Sequence, residues 1–299
     1  MEKDHQPAPP TLDAIPQTPR WVRRFRRNRI ALVGLGGVVI VVLAALFAPW
    51  LAPYDPSQQF FDGLTLEGMP LPPGGKFPLG TDLLGRDLLS RLLFGARVSL
   101  IVGLVANGIA VVIGTVVGVA AGYLRGWVEI VLMRLTDIMT AFPALVLAIA
   151  LAAVLGPSLW IVALVIALVN WVWVARAIHA QVLSLARRDF VEAAHALGAS
   201  TGRILFAHIL PQLVSTILVF GTLGISSAVL LEAALSFLGV GVQPPTPSWG
   251  GIINESQTYF LNAPWLVAFP GFAILLTSLC FNLFGEGLRD ALDVGDRGV

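Results

Sequence analysis

The sequence predicts an all-α polytopic membrane protein with six transmembrane helices and a cytoplasmic N-terminus. Three observations carry that expectation. Charged residues are only 12% of the chain against 56% apolar ones, uncharged runs long enough to cross a bilayer recur along it, and basic residues are concentrated in alternate connections. A soluble globular chain carries roughly 25% charge, so the composition excludes a water-soluble enzyme and a disordered scaffold alike. The net charge of +1 decides nothing about partners. The single cysteine, Cys280, lies inside an apolar run and excludes an intrachain disulfide framework or a cysteine zinc site.

A hydrocarbon core about 30 Å thick needs roughly 20 apolar helical residues. Residues 1–29 read as a cytoplasmic tail, with Pro7, Pro9, Pro10, Pro16 and Pro19 keeping its first part disordered. Residues 30–52 form the first transmembrane helix. It is no cleaved signal peptide, because its preceding region and apolar run are too long and the small residue Ala48 is followed by Pro49. Residues 53–97 are an outer segment, and residues 98–290 hold five further spans. The second is Val98–Leu124. The uncharged run Ile138–Val174 is too long for one helix and divides at Gly156-Pro157, since proline lacks the amide hydrogen a helix interior requires. The fifth span follows Pro211, the sixth covers Pro264–Phe284, and residues 291–299 are a cytoplasmic tail.

Placement of Lys and Arg sets the orientation. Lys3, Arg20, Arg23, Arg24, Arg26, Arg27 and Arg29 precede the first span. With that end inside, Arg125, Arg134, Arg176, Arg187, Arg188, Arg203, Arg289 and Arg297 are inside too, leaving only Lys76, Arg86, Arg91 and Arg97 outside. The basic run 20–29 is thus read as a topology determinant and not as a nucleic-acid patch. Within the second span, Gly114, Gly118 and Gly122 share one helix face, which lets another backbone approach closely.

The connection between spans four and five, about residues 176–212, is too polar to enter the bilayer. Asp189 with Glu192 three residues on reads as an N-cap and its reciprocating acid, starting a helix over Phe190–Leu197. Gly198 ends that helix in a left-handed turn. A second helix starts near Ser200 or Thr201 and is closed by Pro211, with Ile204, Leu205, His208 and Ile209 at helical spacing. A loop so structured is expected to meet a partner.

Glu192-Ala193-Ala194, three residues, Gly198, nine residues and His208-Ile209-Leu210-Pro211 together resemble the EAA loop of bacterial ABC importer permeases. His208, where the general pattern has an aliphatic residue, is similar to the peptide/nickel branch, in its OppC/DppC-like half; Gln212 stands where Asn is common. Leu79-Gly80-Thr81-Asp82, Gly85-Arg86-Asp87, Ser90-Arg91, Gly95-Ala96-Arg97-Val98-Ser99-Leu100, Ala141-Phe142-Pro143, Leu235-Ser236-Phe237-Leu238-Gly239 and Pro247-Ser248-Trp249-Gly250 resemble the same branch.

That resemblance implies a type I ABC importer permease fold in a bacterial cytoplasmic membrane. Implied partners are a homologous permease, two cytoplasmic ATPases carrying ATP and magnesium, and an extracytoplasmic solute-binding protein, with no nucleic acid. The coupling residues it implies are Glu192, Ala193, Ala194, Leu197, Gly198, His208, Leu210 and Pro211. Glu192 is open to two readings, a helix cap alone or a cap that also orients a docked helix. The implied cargo is di- or oligopeptide, with nickel, a nickel chelate or a glycan as the alternative.

The residues themselves hold no ATP chemistry. Gly74-Gly75-Lys76 is followed by Phe77 and is no phosphate loop, and His5, His179, His195 and His208 lack metal-site spacing, so no catalysis, cofactor or metal is expected in this chain. Glu232 is an acid well inside a predicted span, which makes it either a gate or path residue or a packing contact. Arg134 and Asp137 are spaced to pair on one helix face. A secondary transporter would show internal repeats and several intramembrane acids, and a plain membrane scaffold would leave the patterned loop unexplained.

Overall fold

A computed structural model describes residues 20–292. The expected disordered tail and nearly all of the C-terminal tail lie outside that range. Twelve α-helices are found among the described residues: α1 (Arg20–Arg27), α2 (Arg29–Leu46), α3 (Ala48–Leu51), α4 (Leu88–Leu124), α5 (Gly126–Ala141), α6 (Ala144–Leu155), α7 (Leu159–Leu185), α8 (Asp189–Ala196), α9 (Thr201–Ile204), α10 (Leu210–Phe237), α11 (Trp249–Ser256) and α12 (Trp265–Leu292). A π-helical turn, Leu205–Ile209, joins α9 to α10. The helices α2, α4, α7, α12 and the run α9–α10 are each long and apolar enough to cross a membrane, and the bent pair α5–α6 makes a sixth span if taken as one.

Several boundaries differ from expectation, among them the fourth span, which as α7 runs on to Leu185 inside the stretch read as the connection 176–212. The second span starts at Leu88, inside the stretch read as outer segment, because Asp87 caps it by accepting from the Ser90 amide at 2.8 Å. The third span does not begin at Ile138. It is α5 and α6 meeting at 92°, where Pro143 forces Phe142 into extended backbone (φ −95°, ψ 138°). The sixth continues past Phe284 to Leu292. The division at Gly156-Pro157 is present, between α6 and α7.

Packing is densest between α4 and α7. Gly114, Gly118 and Gly122 are the reason: a methyl group added at Gly118 would lie 2.6 Å from the Ala175 carbonyl oxygen, and one at Gly122 2.8 Å from Val182 Cβ. Without side chains on that stripe the two backbones touch, and dispersion over close contacts holds helices together where lipid is as apolar as they are. Val102, Ala106, Ala148, Val162, Ile166 and Leu235 form the largest core cluster. The outside is apolar as well, with Ile30, Val33, Ile40, Val112, Val116 and Leu275 all exposed, while Ser99, Asn107, Ser226 and Glu232 are buried. That inversion fits a hydrocarbon surrounding.

The bundle has two unlike ends. At the terminal end, Phe25 of α1 and Ala31 of α2 pack with Ala291 of α12, and α8 and α9 sit nearby under α4 and α7. At the distal end lie residues 52–87 and α11. There Tyr54, Phe60 and Phe77 meet edge-on or tilted, with ring centroids 4.8–5.9 Å apart. Lys76 lies 2.7 Å from Asp62, and its donated hydrogen bond holds that carboxyl below the usual range.

Candidate functional site

The patterned connection folds into a compact unit at the terminal end. α8 opens at Arg188 as N-cap, with no side-chain cap. The capping box expected from Asp189 and Glu192 is therefore not formed: the helix starts one residue earlier, so both acids fall in its first turn and act only on its dipole. The C-terminal end is as the glycine predicts. Gly198 has φ +76°, the Gly198 amide donates to the His195 carbonyl (2.9 Å) and the Ala199 amide to that of Ala194 (3.0 Å), a Schellman closure. Ser200 then caps α9 by accepting from the Arg203 amide at 3.4 Å.

Val191 and Ala194 face inward with Ile204, Ile209 and Leu213 onto Val174, Ile178 and Val182 of α7. Ala194 is thus part of the bundle, not of an open face. Glu192, Ala193, Ala196 and Gly198 point outward, beside Leu197, 88% exposed, and Phe206, 74% exposed. The unit is tied to the end of α4 by Tyr123, whose hydroxyl is 3.2 Å from His195 Nε2. Within it, Phe190 and His208 rings lie 6.5 Å apart.

Pro211 does not close the unit. A proline ring clashes with the carbonyl four residues back in an α-helix, but here the Leu210 amide reaches five residues back to Leu205. The wider π turn accommodates the ring, and the chain runs on as one apolar rod to Phe237. α9 and the membrane helix α10 are therefore one continuous helical run, Thr201–Phe237, to which α8 is joined by the Gly198 turn.

α10 also lines a cleft of about 820 Å³ whose other walls are α4, α7 and α12. Its polar lining includes Asn107, Asn170, Ser227, Asn282, Glu286 and Arg289. Asn107 Nδ2 donates to the Gly221 carbonyl at 2.7 Å and the Phe220 carbonyl at 3.3 Å, and Gly224 leaves its side chain room. Apart from Arg289, counted there only as an inside basic residue, none of these residues was singled out from the sequence. The signal was present as single amides within apolar runs, and Glu286 was missed because the sixth span was ended too early.

Glu232 does not line that cleft. It is fully buried, accepting from Ser99 Oγ of α4 and Ser236 Oγ of its own helix, each at 2.7 Å, and from Ser248 before α11. Its carboxylate is thus enclosed by hydroxyls of neighbouring elements. Close by, Arg86 and Arg91 both reach Glu255 Oε2 of α11 (2.7 and 2.9 Å) and both reach Asp82 Oδ2 (2.5 and 3.2 Å). Arg91 is 1% exposed.

Arg134 and Asp137 do meet, at 3.5 Å, but Asp137 has a shorter partner in Arg176 of α7 at 2.7 Å. His179 of α7 is likewise 2.9 Å from Glu129. These cross-helix contacts, invisible to spacing, brace the α5 arm against α7.

The family model for the binding-protein-dependent transport system inner membrane component matches residues 114–294, and that for the N-terminal TM domain of oligopeptide transport permease C matches residues 18–73. The chain is 47% identical over 270 residues to the di/tripeptide transport system permease protein DppC of Pseudomonas aeruginosa, covering 90% of this chain and 89% of that one. It is 46% identical over 276 residues to the glutathione transport system permease protein GsiD of Salmonella typhimurium, covering 92% and 90%. A helical bundle with five or six apolar spans and matches of this extent place the chain in the family of inner membrane components of binding-protein-dependent transport systems, with the permease fold of ABC importers.

Proposed function

We propose that this permease subunit forms one half of a membrane path for di- or oligopeptides and couples it, through the α8–α9 unit, to ATP hydrolysis in separate subunits. The termini and α8–α9 then face the cytoplasm, as the arginines of α1 require under the positive-inside bias. ATP and magnesium are held by two ATPases, whose closure moves the docked α8. The homologous permease supplies the other wall of the path, and the solute-binding protein delivers cargo at the distal end.

The observation that carries this reading is the continuity of one helical run. It begins at Thr201, carries the exposed Phe206, passes through the π turn, and lines a polar cleft with Ser215, Thr216 and Ser227. A displacement of α8 reaches α9 through the core cluster in which Val191 and Ala194 pack with Ile204, Ile209 and Leu213, and from there travels along α10 because a helix is stiff over its hydrogen-bonded length. The neutral amides Asn170 and Asn282 and the hydroxyl of Ser227 match the donors and acceptors of a peptide backbone without selecting its side chains. Names of relatives, di/tripeptide and glutathione permeases, support the same cargo class.

The test is ATP-driven uptake of a radiolabelled dipeptide by proteoliposomes holding the assembled transporter, with Gly198→Asp alongside wild type. The variant is expected to assemble but to hydrolyse ATP without uptake. Undiminished uptake by Gly198→Asp would remove the coupling role, and no dipeptide uptake by an active wild-type transporter would remove the cargo.

A further inference from the structure

The short helix α1 is not explained by transport. It carries Arg23, Arg24, Arg26 and Arg27, with Arg29 opening α2, and all five side chains are exposed. Among the described residues none of the five has an ion pair or a hydrogen-bond partner; the acids on the packed helix α12, Glu286 and Asp290, form no ion pair with any of them, and between positions 20 and 61 the sequence has only Asp55, beyond α3. Five like charges on two turns repel one another, so a bare arrangement of this kind needs counter-charge from outside the chain.

Its position names the source. Asn28 takes extended backbone and caps α2 by accepting from the Ile30 and Ala31 amides (3.1 and 3.2 Å), so α1 joins a membrane span with one residue between. Phe25 is buried edge-on against Phe284, ring centroids 5.9 Å apart, which pins α1 to the last turns of α12. Trp21, one turn before Phe25, stays 43% exposed, a ring placed where interfacial aromatics reside. A helix held one residue from a membrane span, with an exposed indole and five exposed guanidinium groups, is placed to reach lipid headgroups. Guanidinium presents a planar fork that matches phosphate oxygens bidentately, and each basic residue near an anionic surface adds attraction that falls off with salt.

We propose that α1 is a binding site for anionic phospholipid headgroups, holding the terminal ends of α2 and α12 to the cytoplasmic leaflet. The apolar edge of α1 is already occupied by α12, so charge and not insertion depth provides the selectivity.

A photoreactive benzophenone amino acid in place of Trp21 reads that site locally. The assembled transporter is reconstituted in vesicles of equal phosphatidylglycerol and phosphatidylcholine, one or the other radiolabelled, and crosslinked lipid is counted. Phosphatidylglycerol is expected to exceed phosphatidylcholine at least threefold, the excess shrinking at high salt. It should survive in R23K/R24K/R26K/R27K and fall to near parity in R23Q/R24Q/R26Q/R27Q. Because the glutamine variant also loses charges that orient the chain, the lysine variant and the salt series test the site where topology is unaltered. Equal crosslinking of the two lipids in wild type would overturn the proposal. So would an excess untouched by the glutamine changes, or crosslinks that fall on a protein subunit.

Discussion

The two ends of this bundle are built from different chemistry. At the distal end, Asp82, Arg86, Arg91 and Glu255 close a largely buried ionic cluster between the start of α4 and α11, and Glu232 gathers hydroxyls from α4, α10 and the loop before α11. At the terminal end the polar ties Tyr123 to His195 and Asp137 to Arg176 and Arg134 are exposed, and Glu129 to His179 is half-buried. Buried charges cannot be separated without stranding one of them, whereas exposed pairs exchange readily with water. The difference teaches where motion is permitted: the distal end is locked within the chain, and the terminal end is held mainly by the apolar underside of α8–α9.

Breaking the distal lock gives the largest effect. Arg91→Ala leaves Asp82 and Glu255 facing each other with one cation fewer, and losing one member of a buried pair costs about 3–5 kcal/mol. Thermal unfolding in detergent should show a chain that is barely folded or absent from the membrane. Gly118→Leu comes next, since the α4–α7 seam has no space for a side chain and overpacking costs about 1–3 kcal/mol; its melting temperature drops while the isolated ionic cluster is unaffected. Glu232→Gln keeps the shape but turns one acceptor oxygen into a donor facing a hydroxyl, a loss of about 1–2 kcal/mol. Assembly should decline with uptake in proportion, whereas lost uptake in fully assembled transporter would return Glu232 to the path. Asp137→Asn at the terminal end is the smallest change. It should move stability by less than about 1 kcal/mol, and a larger shift would erase the contrast between the ends.

Much of this was legible in the residues. Uncharged runs located every span but the third, whose charged half α5 they left out, because a hydrocarbon core tolerates so few alternatives, and the Gly114, Gly118 and Gly122 stripe marked a seam although not its partner. Gly198 and Ser200 acted through local backbone geometry and stand where the sequence put them. Long-range facts were hidden. Nothing in the spacing paired Asp137 with Arg176 or gathered Asn107, Asn170 and Asn282 around one cleft. Two local readings failed for local reasons: Pro143, taken as part of a motif, sets a 92° bend, and Pro211, taken as a terminator, is absorbed by a π turn that no propensity foretells. Asp189 was misread by one residue, which is enough to turn a cap into a first-turn acid.

The central claim is that the outward face of α8 is covered by an ATPase in the working transporter. In a Cys280→Ala background, which removes the chain's single cysteine from a buried site, Ala193→Cys places a thiol on that face. Its labelling by a membrane-impermeant maleimide is measured on opened vesicles before and after the ATPase subunits are stripped. The account predicts slow labelling in the intact transporter and at least tenfold faster labelling once the ATPases are gone. Equal labelling in both states, in a transporter that still imports its cargo, would contradict it.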